Sequence, residues 1–104
     1  MASFVPYYRK KILALKGKED KLRRSLANGA SELKLLIRAA DVRDARIRVM
    51  RAKLAQRSPA DTDEYRHAVK KTADGIAMLL ATSPAGILAE FGYCHTSKPD
   101  SDQF

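Results

Sequence analysis

Apolar residues recur every three or four positions along most of the chain, which is the spacing of an amphipathic α-helix. The first stretch of this kind predicts a helix from about Pro6 to about Asn28. Its apolar stripe consists of Phe4, Tyr8, Ile12, Leu15, Leu22 and Leu26. Gly17 lies inside the pattern and lowers the helix propensity, so the pattern leaves open whether the helix is continuous there. Asn28-Gly29 predicts the helix end, because both residues tolerate the left-handed conformation.

The second stretch predicts a long helix from about Ser31 to about Gln56, with Ser31 as its N-cap. Its main apolar stripe consists of Leu33, Leu36, Ile37, Ala40, Ile47, Met50 and Leu54. A thinner line, spaced by seven residues on roughly the opposite face, consists of Leu35, Val42 and Val49. Two apolar lines on one helix require two neighbours, which are the third helix of the same chain or another molecule. We expect the thin line to form a protein interface, with other copies of the chain as the favoured partner.

Two further cap signals predict two more helices. Ser58-Pro59 breaks the periodic pattern, and a third helix is expected from about Thr62 to about Thr82. Ser83-Pro84 then predicts a short fourth helix over residues 84–91. The predicted fold is therefore all-α: an antiparallel helical hairpin with a third helix and a short C-terminal helix. We expect one domain over residues 1–92 and a flexible tail over 93–104.

The net charge of +8 is unevenly distributed along the chain. Residues 1–57 hold 16 Lys or Arg against 5 Asp or Glu, whereas residues 58–104 hold 4 against 7. Such a basic half attracts phosphate backbones, anionic membrane surfaces or acidic proteins. A membrane role is disfavoured because the apolar stripes are needed for the core and the charged flank faces elsewhere.

A ladder of cations on the second helix is the main candidate for a binding site. Arg43, Arg46, Lys53 and Arg57 share one flank, and none has an acid placed four residues before it. Arginine grips phosphate oxygens with a planar fork, so the ladder predicts binding of a nucleic-acid backbone. The alternatives are a solvated helix face and a surface for an acidic protein. A second basic cluster with aromatic neighbours contains Arg9, Lys10 and Lys11.

Glu19 interrupts the apolar stripe of the first helix. A hairpin turn centred near residues 29–30 places it close to Arg43, so we expect an ion pair between them. The alternative is an unpaired Glu19 at the solvent edge.

Catalytic and metal chemistry have little support in this sequence. Cys94 and His95 are adjacent, which is not a zinc-ligand spacing, and His67 has only Asp63 one turn before it. We therefore expect no catalytic residue, metal, cofactor or small-molecule substrate. The single cysteine excludes an internal disulfide, and no signal peptide or membrane-spanning run is present, so a cytoplasmic location is expected.

These observations lead to two functional hypotheses. The first is a non-enzymatic accessory subunit that binds an RNA or DNA backbone without reading its sequence, within a larger assembly. The alternative is a helical adaptor or oligomerisation module that binds an acidic protein partner.

Overall fold

Four α-helices make up the part of the chain that the computed structural model describes, which is residues 5–57 and 62–93. They are α1 (Val5–Ala27), α2 (Glu32–Ala55), α3 (Asp63–Ala81) and α4 (Pro84–Glu90), and no strand is present within those ranges. The predicted all-α fold class is confirmed. Tyr93, where the predicted tail begins, is half-buried and packs against the core, and residues 94–104 lie outside the described residues.

The helices begin where hydroxyl side chains can cap them. The Ser31 hydroxyl accepts a hydrogen bond from the backbone N–H of Lys34 at 3.3 Å, and Thr62 accepts one from Tyr65 at 3.1 Å. Ser83 caps α4 in the same way, with Pro84 at the first turn. Each cap satisfies an N–H group that has no partner inside the helix. The predicted helix starts therefore follow from local sequence alone.

Glycines with positive φ end two of the helices. Gly29 has φ of +70° after α1, and Gly92 has φ of +87° after α4. L-residues with a Cβ rarely adopt this conformation, which is why glycine suits both positions. Gly17, by contrast, is an ordinary exposed helical residue, and α1 continues through it without a break.

α2 is the centre of the fold because it contacts each of the other three helices, whereas α1 and α3 make no close backbone approach in the described chain. Lys11 and Ala14 share a groove with Ala45 and Arg48, which shows that α1 runs antiparallel to α2. The backbone extends over 59 × 29 × 16 Å, so the helices form a flat layer. Such a layer leaves much of its apolar surface uncovered.

The core lies where α4 closes over one half of the α1–α2 hairpin. Its cluster of fully buried residues consists of Leu22, Leu35, Ala39, Val42, Ile87 and Leu88. None of them is more than 2% exposed. α3 contributes no buried residue, although it has 19 residues. The largest fully buried side chains therefore lie at the α4 end of the layer, while Ala45, Ile47 and Ala52 are buried further along α2.

The predicted protein interface on α2 is wrong for two of its three residues. Leu35 is 2% exposed and Val42 is fully buried, so neither side chain is available to another molecule, while Val49 is half-buried. The spacing of seven residues is the repeat that keeps one helix in contact with a neighbour. Two residues of the predicted main stripe, Leu33 and Ile37, are instead 69% and 53% exposed.

Candidate polyanion-binding surface

Two members of the predicted cation ladder are engaged inside the molecule. Nη1 of Arg43 donates to the carbonyl oxygen of Thr82 at 2.9 Å, at the C-terminal end of α3. Nη1 of Arg46 donates to a carboxylate oxygen of Glu90 in α4 at 2.9 Å. Arg46 is only 23% exposed, and its Nη2 lies 3.8 Å from Glu19. Arg43 and Arg46 are thus structural residues, which corrects their assignment as free phosphate ligands.

The expected Glu19–Arg43 ion pair is also wrong in its partner. Glu19 reaches Arg46, which lies three residues further along α2 and therefore on nearly the same flank. Glu90 of α4 approaches that flank as well and holds the Arg46 guanidinium between two carboxylates. Arg43 is drawn instead to the carbonyl group that ends α3.

The other two ladder residues, Lys53 and Arg57, are exposed and line a groove between α2 and α3. Across the groove α3 contributes Lys71 and His67, together with a single carboxylate, Glu64. The open space between the two helices is about 640 Å³. Its remaining lining residues are Met50, Leu54, Ala68 and Thr72. Three lysine or arginine side chains thus face the same open space, and none of the three forms an ion pair with a described carboxylate.

The second predicted cluster is positioned at the start of α1. Arg9 and Lys10 are exposed, whereas Lys11 is half-buried with its ammonium 5.3 Å from the ring centre of Tyr7. Tyr7 is 57% exposed, which leaves its ring accessible beside these cations. Tyr8 is half-buried, as its place in the apolar stripe predicts.

The antiparallel arrangement brings three basic segments to the same end of the layer. The side chain of Met50 lies against Gly75, and Arg57 shares its groove with Glu64, so the start of α3 lies beside the end of α2. The start of α1 lies beside that same part of α2. We call residues 5–16, 47–57 and 62–73 together the basic end.

The basic end carries nearly all of the excess positive charge. It holds eleven Lys or Arg residues against two Asp or Glu residues, a net charge of +9. The other described residues, 17–46 and 74–93, hold eight against seven, a net charge of +1. Folding therefore places most of this positive charge at one end of the layer.

Lys71 was not among the candidate residues from the sequence, although it faces Lys53 and Arg57 across the groove. The short connection between the second and third helices does predict that they are antiparallel neighbours. Residues equally distant from that connection would then face each other, and for Lys53 this selects Tyr65 rather than Lys71. The observed pairing is offset along α3, since Met50 lies against Gly75, so the connection alone does not identify Lys71.

Neither a metal site nor a membrane-spanning helix is evident in residues 5–57 and 62–93. No group of three or more His, Cys, Asp or Glu side chains is arranged there to hold a metal ion. None of these helices combines the length and hydropathy needed to cross a membrane by itself. α3 and α4 meet those criteria only as a pair, which is bent by 96°.

No protein-family model matches this chain, and no curated protein or solved structure matches it either. Any functional interpretation therefore rests on the arrangement of its own residues.

Proposed function

We propose that the protein is a non-enzymatic subunit that binds the sugar–phosphate backbone of RNA or DNA through its basic end. The observation that carries this proposal is the concentration of eleven Lys or Arg residues against two carboxylates in that part of the layer. A surface of this kind attracts a polyanion and gains free energy by releasing the counterions condensed on it.

Lys53, Arg57 and Lys71 are the central ligands in this proposal, with Arg9 and Lys10 extending the surface. The first three face one groove, so a single strand of phosphates can contact residues from two helices. Arg43 and Arg46 are not included, because a carbonyl group and two carboxylates already occupy them. Tyr7 offers an exposed ring on which an unpaired base can stack.

Binding is expected to be independent of sequence. Phosphate contacts fix the position of a protein on nucleic acid but carry no base information. A helix-turn-helix reading head would need a recognition helix supported by a short turn, whereas here α1 and α2 form a long hairpin. The arrangement supports contacts to the phosphate backbone rather than recognition of base edges in a groove of the duplex.

The experiment is fluorescence anisotropy with mixed-sequence RNA and DNA over a salt series. Each phosphate contact contributes about 0.9 to the slope of log affinity against log salt for duplex DNA, and about 0.7 for single strands. The variant Lys53→Ala/Lys71→Ala should therefore lower the slope by roughly 1.4–1.8.

The matched control is Lys21→Ala/Lys34→Ala, which removes the same charge from two exposed positions outside the basic end. Its slope should remain near that of the wild type. Equal loss in both variants would show that only the net charge matters. No binding by the wild type at low salt would rule out the proposal.

The second candidate function, a helical adaptor for an acidic protein, is favoured by a separate observation. α3 has apolar residues, and none of them is fully buried within the described chain.

A further inference from the structure

A second groove lies on the opposite face of the α2–α3 pair from the basic groove. Its lining residues are Arg51, Leu54, Ala55, Arg57, Tyr65, Val69, Thr72, Ala73 and Ile76. On α3, Val69 is two residues from His67 and four from Ala73, so it lies on the same face as Ala73 and away from His67. The space is about 390 Å³ and is lined largely by apolar side chains.

α3 is amphipathic yet poorly covered. Val69 is 38% exposed and Leu80, on the same flank, is 60% exposed. α1 cannot cover this flank because it lies along α2 and does not approach α3. Helices in proteins gain most of their stability from burying an apolar face, and this one does so only in part.

The charges around the apolar groove specify the kind of occupant. Arg51 and Arg57 are both exposed, and neither forms an ion pair with a described carboxylate. None of the nine lining residues is acidic. The complementary surface therefore has an apolar centre and carboxylates along its sides.

The shape of the groove suits a helix. It is a slot between two antiparallel helices and extends on α3 from Tyr65 to Ile76, which is roughly 17 Å or three helical turns. A third helix laid in such a slot interdigitates with the ridges on both sides. It would cover the side of the α2–α3 pair that neither α1 nor α4 covers.

We propose that this groove binds an acidic amphipathic helix of a partner protein. A second copy docked groove to groove does not fit, because this would bring together two basic ends of the same sign. The two grooves share Leu54, Arg57 and Thr72, whereas Val69, Ala73 and Ile76 line only the apolar groove, so a substitution at Val69 tests it separately.

The probe is a fluorescein-labelled 18-residue peptide in which Leu recurs every three or four positions, with Glu and Ala elsewhere. Two control peptides are a scrambled sequence of the same composition and a version with Lys in place of Glu. Fluorescence anisotropy should show binding of the acidic amphipathic peptide only, with a dissociation constant in the micromolar range typical of such short segments, about 1–100 μM.

The test variant is Val69→Glu, and its matched control is Met78→Glu. Met78 is 73% exposed on the same helix but does not line the groove. Val69→Glu should weaken peptide binding at least about tenfold, because it places a carboxylate in the apolar centre beside the acidic peptide. Met78→Glu should change the affinity less than about twofold. Circular dichroism verifies that both variants remain helical.

Several results would overturn the inference. These are no binding at about 1 mM peptide, equal binding of the scrambled or Lys peptide, or full binding by Val69→Glu. A dimer that Val69→Glu dissociates would make a second copy the occupant, and loss of RNA binding in the uncharged variant Val69→Ala would make the occupant a nucleic acid. Lys53→Ala/Lys71→Ala should leave peptide affinity nearly unchanged, so failure of one proposal is distinguishable from failure of the other.

Discussion

Val42 provides the sharpest test of how α2 is oriented in the fold. This side chain is fully buried among Leu22, Leu35, Ile87 and Leu88, where α1, α2 and α4 meet. Val42→Ala removes two methyl groups, each contributing about 0.8 kcal/mol of transfer free energy. The cavity left behind adds up to roughly 1 kcal/mol, and the higher helix propensity of alanine returns about 0.5. We expect the free energy of unfolding to fall by about 1–2 kcal/mol.

Val69→Ala is the matched control because it removes the same atoms from a helix. Val69 is 38% exposed and belongs to no buried cluster, so its transfer loss is smaller and the gain in helix propensity offsets much of it. We expect a change within about 0.5 kcal/mol.

Urea unfolding followed by circular dichroism at 222 nm measures both variants, with the m-value as a check that two-state behaviour is unchanged. On heating, Val42→Ala should lower Tm by roughly 4–16 °C, given about 4–8 °C per kcal/mol for a domain of this size. If Val42→Ala is no more destabilising than Val69→Ala, Val42 does not lie in the core, and the orientation of α2 described here is incorrect.

Two further predictions concern the ion pairs of Arg46 and the turn at Gly29. Arg46→Gln should lower the free energy of unfolding by about 1 kcal/mol, because it leaves Glu19 and Glu90 without their shared cation. The loss is no larger because solvent already screens the half-exposed carboxylate of Glu90. The slope of log RNA affinity against log salt should not change in this variant. A decrease of about 0.7, which corresponds to one phosphate contact, would show that Arg46 belongs to the binding surface. Gly29→Ala should cost about 1 kcal/mol, since φ is +70° there although a methyl group would meet nothing within 4 Å. Thermal unfolding measures this loss, and an unchanged Tm would argue against the left-handed turn.

The helix boundaries could be predicted because their causes are local. Ser31, Thr62 and Ser83 each cap a helix through a hydrogen bond to a group three residues away. Gly29 allows a turn that depends on its own φ. Each of these features is therefore determined by residues within three or four positions in the sequence.

Which side of α2 faces the core could not be predicted in the same way. Its two apolar lines are both periodic, and periodicity does not specify which neighbour each line meets. The seven-residue spacing of Leu35, Val42 and Val49 matches that of Tyr8, Leu15 and Leu22 on α1. Comparing the two helices would have identified them as partners, because antiparallel neighbours share one repeat.

The partners of Arg43 and Arg46 depend on contacts that are distant in sequence. Thr82 lies 39 residues from Arg43, and Glu90 lies 44 residues from Arg46. A search for acidic residues four positions away in the sequence finds no partner for either arginine. Their actual partners are supplied by the ends of α3 and α4, whose positions that search does not include. The candidate site could thus be predicted as a charged region but not as a set of free side chains.

The fold gathers eleven Lys or Arg residues against two carboxylates at one end, and we propose that a polyanion binds there. The most direct measurement is an NMR titration of the ¹⁵N-labelled protein with a mixed-sequence RNA of about ten nucleotides. We predict amide shift changes concentrated in residues 7–16, 47–57 and 62–73, with little change in residues 21–34. Shift changes spread evenly over the chain, or centred on residues 21–34, would contradict the account.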